Sequence, residues 1–374
     1  MAGRLGEWCF WHDMRVKREI QVISHACVVP ANQSVYAHLA GLGFEVSILV
    51  PATWHHHYSA KPLSPAAING LEGRVAGGPV RRAGRPQRYG FRWFSREVAT
   101  VRRSRPDWCL IEEESFSVAG AQWSWWARRH KIPYAIQMAE NLDRPMPLPV
   151  KWWRRHVLAQ ASLVMARSVA AAELAVVWGA RAETVHVVPH GIDGVRDRDL
   201  PRPSGRVGYV GRLVSEKGIA DLVEAISLDS ALSLDVVGDG PLRPMIQSAG
   251  TRVRWLGAKD ATEMPDFYES IAVLALPSRS TPTWSEQFGR VIIEALAVGT
   301  PVVAYDSGEI PWVAGLTGAT TVHEGDVVAL ARELRRLSTG TTGTEEASRG
   351  RSVVAERFTN AAVAQQLSSL LTTN

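Results

Sequence analysis

Arg212 and Lys217 stand close together in GRLVSEKG (211–218), directly after a strand-like run, RVGYVG. Gly211 permits a tight turn there, Arg212 offers a planar fork of donors, and Lys217 offers a point charge where a helical pattern begins. Two cations beside a helix N-terminus suit an anion such as a diphosphate, although a surface salt-bridge loop would look the same. A second strand-like run closes in VVGDGP (236–241), where Gly238 lets the backbone approach a ligand or simply turns the chain. The third glycine of a dinucleotide fingerprint is missing, so no nicotinamide site is expected.

The stretch EQFGRVIIE (286–294) places Glu286 and Glu294 at its two ends. The helix is expected to begin near Phe288 or Gly289, where free N–H groups can receive a negative group. In a continuous helix the two glutamates would lie about 12 Å apart along the axis. A glycosidase carboxylate pair needs roughly 5–9.5 Å, so the two are expected to do different work. Each can meet a neutral, hydroxyl-rich group, with a diphosphate held between them at Arg212 and Lys217. Sugar hydroxyls, diphosphate and ribose diol follow one another in this order in a nucleotide sugar.

These residues need strands and helices to hold them. The chain of 374 residues exceeds one ordinary core, and its 46% apolar and 21% charged content is that of a globular protein. Strands are expected at 19–24, 45–50, 108–113, 134–138, 162–166 and 185–189, then at 206–211, 232–238, 252–257, 272–277 and 301–306. Helices are expected between them, at 33–41, 116–130, 150–160 and 168–178, and at 217–228, 241–249, 262–270, 289–298 and 326–338. STGTTGTEEAS (338–348) reads as a polar loop before the last helices. This alternation predicts an α/β fold of two Rossmann-like, doubly wound domains facing a cleft. The boundaries read from it are 1–192, 203–350 and a C-terminal helical segment at 351–374.

Charge divides along the same line. Residues 1–200 hold 26 Lys and Arg against 17 Asp and Glu, a net +9, whereas residues 201–374 hold 16 against 20, a net −4. Basic residues mix with tryptophan in RRAGRPQRYGFRWFSR (81–96), WSWWARRHK (123–131) and KWWRR (151–155). Solvated helix faces account for this pattern, and an anionic membrane surface is the alternative. Nucleic acid is not expected as a partner. The first twenty residues lack an apolar signal region, and no run reaches a membrane span. Cys9, Cys27 and Cys109 form no CxxC pair. A cytoplasmic location is therefore expected, with the inner membrane face as a second reading.

In order, GRLVSEKG, VVGDGP, EQFGRVIIE and ALAVGTPVVAYDSGEIPWVAG (295–315) resemble the retaining glycosyltransferases of the GT-B fold, group 1 or family 4. The resemblance covers most of 206–325. It implies that Arg212 and Lys217 grip the donor diphosphate and that Glu294 accepts bonds from the ribose hydroxyls. Glu286 would hold donor-sugar hydroxyls with backbone N–H groups around Phe288 and Gly289, and Glu309 would reach the same site. Gly211 and Gly238 would bring backbone close to the donor, and the turn ending at Ala258 would contact the base. A nucleotide-diphosphate donor, a UDP-sugar in the first instance, a hydroxyl acceptor and no cofactor or catalytic metal are implied. The acceptor would be a glycan, a lipid-linked intermediate or a small aglycone, in polysaccharide or natural-product biosynthesis.

Retention would proceed by front-face displacement, in which the leaving diphosphate oxygen helps deprotonate the acceptor. Two rival readings of the same fold are a sugar-nucleotide 2-epimerase and a non-catalytic nucleotide-sugar-binding partner. The first half departs from the family. The loop after its first strand, SHACVVPANQ (24–33), has no glycine, and Glu140 and Asn141 replace a histidine common after the fifth strand. His190 stands where asparagine is common. Acceptor or first-domain candidates are therefore His25, Asn32, Glu140 and Asn141. The carboxylates of EEES (112–115) face the same way, with Ser115 expected to cap the next helix. WHHHYS (54–59) reads as a polar loop, and DRD (197–199) as a linker, not a metal site.

Overall fold

The computed structural model describes residues 17–55, 62–196, 202–339 and 342–373. Parts of WHHHYS and all of DRD lie outside the described residues. The first domain holds β1 (Glu19–Ile23), β2 (Glu45–Pro51), β3 (Val75–Gly78), an antiparallel pair β4 (Val80–Arg81) and β5 (Gly90–Phe91), then β6 (Trp108–Glu114), β7 (Tyr134–Met138), β8 (Leu163–Ala166) and β9 (Val185–Val187). Its helices are α1 (Ser34–Gly41), α2 (Arg96–Arg103), α3 (Val118–Arg129), α4 (Leu148–Ala159) and α5 (Val169–Val177).

The second domain holds β10 (Arg206–Val210), β11 (Ser233–Val237), β12 (Val253–Trp255), β13 (Val273–Leu276), β14 (Val302–Tyr305) and β15 (Thr320–Val322). Its helices are α6 (Ile219–Leu228), α7 (Arg243–Ser248), α8 (Met264–Glu269), α9 (Arg290–Ala297), α10 (Ile310–Thr317) and α11 (Val327–Ser338). Two further helices follow, α12 (Thr342–Arg357) and α13 (Asn360–Thr373).

The first sheet runs β3-β2-β1-β6-β7-β8-β9 and the second β12-β11-β10-β13-β14-β15, each parallel throughout. Helices cover both faces of such sheets, which explains why the central strands read as unbroken apolar runs. Every residue of β8, β13 and β14 is buried. Both strand orders reverse beside the first strand, at β1/β6 and at β10/β13. Crevices beyond the carboxyl ends of strands at such reversals hold ligands in this class of sheet.

The two crevices face each other. Asn141 Nδ2, after β7, donates to the backbone carbonyl of Glu286 at 3.0 Å. The N–H of Ala170, at the start of α5, donates to Glu309 Oε2 at 3.3 Å. α12 packs on α9, α10 and α11, whereas α13 returns to pack on α1 of the first domain. Ile192 pairs with Thr359, and its N–H donates to the Phe358 carbonyl at 2.9 Å, so the outgoing and returning chains cross side by side.

The expected loop at 338–348 is corrected, because α12 already begins at Thr342. Ala347 and Val354 are fully buried against α9, so packing makes this Gly- and Thr-rich stretch helical. Ser115 does not cap α3. Ser117 does, its Oγ accepting from the Gly120 N–H at 2.9 Å. The reading of the sequence also lacked β3, β15, α2 and α10.

Candidate active site

At the reversal in the second sheet, the turn after β10 carries Gly211 and Arg212, and Lys217 follows within one short 3-10 turn. Gly218 closes that turn at φ +62°, and a Cβ there would come within 1.8 Å of the Pro277 carbonyl oxygen after β13. Only glycine lets these two loops meet so closely. Gly238 plays the same part for the neighbouring strand, since a Cβ would come within 1.9 Å of the Gly211 carbonyl oxygen. The glycines are therefore needed for contact between loops.

Lys217 Nζ lies 2.5 Å from Glu286 Oε2, and Ser278 Oγ donates to the same oxygen at 2.8 Å. The ammonium also sits 4.9 Å from the centre of the Trp284 ring. A cavity of about 330 Å³ opens here, walled by Gly211, Arg212, Lys217, Glu286, Gly289 and Arg290 among others. Helix α9 starts at its rim, with Gly289 left-handed at φ +74° and no side chain capping the helix. Its first N–H groups thus point at the cavity with the positive end of the helix dipole. The Arg212 side chain is exposed at the edge. Two cations and a bare helix start make the cavity suited to a doubly charged phosphate ester.

Glu294 lies inside α9, where Oε1 accepts from Arg290 Nε at 2.9 Å and Oε2 from the Tyr268 hydroxyl at 2.7 Å. The helix thereby separates Glu286, before its start, from Glu294, one turn in. Phe288 is buried against His190, Trp312 and Phe358, so only its backbone is available to a ligand. Glu309 is buried, and its N–H donates to the Glu286 carbonyl at 3.0 Å. Ala258 is exposed beside Gly257, whose carbonyl accepts from the Gly238 N–H at 2.9 Å. Gly238, Ala258, Glu294 and Glu309 are not among the cavity's walls.

On the opposite side, His25 Nδ1 lies 2.8 and 2.9 Å from the two oxygens of buried Glu113, which also accepts from the Tyr89 hydroxyl. Burial lowers the imidazole's pKa, but the charge and hydrogen bond of Glu113 outweigh it, and the net shift is upward. Asn32 donates from Nδ2 to the Ala26 carbonyl at 2.9 Å, bracing the glycine-free loop. Glu140 is buried and held by Arg144 at 3.1 Å and the Leu142 N–H at 3.2 Å.

Glu114 sits next to it, accepting from the N–H groups of Ala139 and Glu140 at 2.8 and 3.2 Å while its Oε2 has no partner. Burial, reinforced by the charges of Glu140 and Glu113, pushes the Glu114 carboxyl up to about 7, although its two backbone bonds oppose the shift. His190 faces Phe288 with ring centres 5.4 Å apart, and burial plus the charges of Arg167 and Arg290 hold it well below its usual range.

The structure thus gathers Gly211, Arg212, Lys217, Glu286 and Gly289 around one cavity. Asn141 reaches it from the other domain, whereas the contacts of His25 and Glu140 lie within the first domain. Asn32 serves its own loop. Ser278, Trp284, Tyr268 and Arg290 were not singled out from the sequence, whereas Glu114 belongs to the EEES carboxylates read there as facing the acceptor side. Arg290 was the accessible one, standing four residues before Glu294 on a helix face. Tyr268 reaches Glu294 from another helix and leaves no mark in the local sequence.

Known proteins resemble this chain in sequence and fold. A family model described as "Glycosyl transferases group 1" matches residues 204–340, and one described as "Glycosyl transferase 4-like domain" matches residues 28–191. A GDP-mannose-dependent alpha-mannosyltransferase of Mycobacterium tuberculosis is 34% identical over 182 residues, 46% of each chain. A 2-deoxystreptamine glucosyltransferase of Streptomyces kanamyceticus is 29% identical over 227 residues, 54% of this chain and 57% of that protein. The chain spans about half the length of these curated relatives. Among solved structures, HepE of Anabaena in complex with UDP and glucose superposes with a TM-score of 0.70 at 19% identity, over 96% of this chain and 100% of that one. Both domains being matched in order by the family's models, the chain belongs to the group 1 (family 4) glycosyltransferases of the GT-B fold.

Proposed function

We propose that the protein transfers a sugar, with retention, from a nucleotide-diphosphate donor to an acceptor hydroxyl without a catalytic metal. The carrying observation is the Lys217–Glu286 pair at 2.5 Å beneath the uncapped start of α9, in a cavity that Arg212 also walls. Arg212, Lys217 and the helix N–H groups meet the diphosphate. Glu286 turns to the donor-sugar hydroxyls, and Glu294, held by Tyr268 and Arg290, receives the ribose diol. As the bond from C1 to the diphosphate breaks, negative charge grows on the leaving oxygen where these positive groups already stand. That oxygen takes the acceptor's proton while the acceptor oxygen bonds to C1 on the same face.

UDP is our first choice of nucleotide, supported by the HepE likeness, and the mannosyltransferase relative makes GDP the competitor. The relatives' names favour transfer over epimerisation. The acceptor is a glycan, lipid-linked or small-molecule hydroxyl that enters past His25, Glu140 and Asn141. The buried free thiols of Cys27 and Cys109 suit a reducing cytoplasm.

Thermal unfolding with UDP, GDP, ADP and TDP tests the donor site in the wild type and Glu294→Ala. A nucleotide at 100 times its dissociation constant stabilises by about 2.7 kcal/mol. One nucleotide is expected to raise the wild-type midpoint and to lose most of that effect in the variant. If none of the four moves the midpoint, the donor reading fails.

A further inference from the structure

Four large apolar side chains of the first domain stand in solvent. Phe94 is 91% exposed, Leu148 80%, Trp152 71% and Trp125 56%. They are linked by contacts across three helices. Arg102 of α2 lies 4.3 Å over the Trp93 ring and 6.0 Å from the Phe94 ring, and Trp93 meets Trp125 of α3 with ring centres 6.1 Å apart. One turn on, Arg128 contacts His156 of α4, whose ring stacks on Trp152 at 5.5 Å, nearly parallel. Leu148 stands one turn before Trp152 on the same helix. The same segments carry exposed cations: Arg92, Arg96, Arg103, Arg129, Lys151 and Arg155. Helices α2, α3 and α4 together carry eight Lys and Arg and a single acidic residue, Glu97.

We propose that this face docks the protein on an anionic lipid bilayer. Three of its four apolar tips are rings, with Arg102 beside Phe94 and the Arg128–His156 pair beside Trp152. Aromatic rings at headgroup depth with Lys and Arg reaching the phosphates have this pairing. The net charge of the three helices is strongly positive, which complements an anionic leaflet. The face also adjoins the cleft. The connection from β7 to α4 places Asn141 beside Glu286, and Leu148 follows seven residues later. Docking through α4 therefore brings the cleft's mouth to the lipid surface. An acceptor with a lipid tail can then reach it without leaving the bilayer.

Sedimentation of the full chain with vesicles tests this without any sugar or nucleotide, so its outcome is independent of the transferase reading. Vesicles of phosphatidylcholine mixed with phosphatidylglycerol are expected to carry the protein down, and phosphatidylcholine alone is not. Added salt should weaken the binding. The double variant Phe94→Ser, Trp152→Ser should bind at least about ten-fold more weakly. The charge variant Arg96→Glu, Lys151→Glu should lose binding at an unchanged thermal midpoint, because all four side chains point into solvent. Equal binding to both vesicle types, or none to either, overturns the proposal. So does a double variant that binds like the wild type. A wild-type dimer in sedimentation equilibrium that the double variant splits would assign the face to a second copy of the chain and overturn it as well.

Discussion

Asn141 Nδ2 donates to the backbone carbonyl of Glu286, the residue whose carboxylate pairs with Lys217. The same carbonyl accepts from the Glu309 N–H, and Glu309 in turn accepts from Ala170 at the start of α5. Two residues of the donor loops are thus each tied to the first domain. The distance between the domains and the aim of Glu286 are one variable.

Removing the Asn141 amide should loosen the cleft without touching the nucleotide's own contacts. A net hydrogen bond contributes about 1 kcal/mol, or roughly five-fold in a rate that depends on closure. Asn141→Ala is expected to lower the transfer rate by about that factor while the nucleotide still raises the thermal midpoint as in the wild type. An unchanged rate would show that the bond does not position Glu286.

Lys217→Met strands a buried carboxylate. Glu286 keeps only the Ser278 hydroxyl, and breaking a buried pair from one side typically costs about 3–5 kcal/mol. Adding Glu286→Gln removes the unpaired charge and should restore part of the loss. Urea unfolding of the wild type, both single variants and the double variant measures the coupling. Additive losses would mean that the pair is held by its surroundings and does little for the fold.

The Glu114 carboxyl gives stability a definite pH dependence. Its folded pKa of about 7 lies above the ordinary 4.5, so the folded state prefers the protonated form. Its favourable contribution is complete below about pH 4.5 and is lost as pH rises to 7, about 3 kcal/mol at most. His25, raised by Glu113, acts in the same direction, losing its stabilising charge as pH rises through its folded pKa. Glu114→Gln keeps an acceptor for the Ala139 and Glu140 N–H groups and cannot ionise. Thermal midpoints from pH 5 to 8 should fall more steeply for the wild type than for the variant. Parallel curves would contradict the shift.

How much of this could be read in advance depends on where each residue's partner comes from. The strands around both reversals were legible because burial on two faces makes them continuous apolar runs. β15 was not, since Thr320–Val322 is a short, half-covered edge strand. α12 was hidden by its Thr-Gly-Thr opening, and packing on α9, α10 and α11 makes it helical. In the site, Arg212, Lys217, Glu286 and Glu294 were visible because a strand end or helix start fixes what each can reach. The expectation that Lys217 grips phosphate did not include its pairing with Glu286, which depends on how two loops 69 positions apart fold together. Asn141 was marked as a candidate, yet its partner is a backbone carbonyl in the other domain, which no spacing encodes.

The return of α13 bears on the order in which the molecule can form. Val363, Ala364, Leu367 and Leu371 are buried in the same apolar cluster as β1, β2 and α1. Arg18, just ahead of β1, donates to the Leu371 carbonyl, and Gln366 Nε2 donates to the Val187 carbonyl at 2.8 Å. The first domain to leave the ribosome therefore lacks part of its interior until the second has been made. It must wait as an incomplete core for some 170 residues of synthesis, or borrow another surface meanwhile. A chain cut before Asn360 should consequently fail first in the domain farthest from the cut.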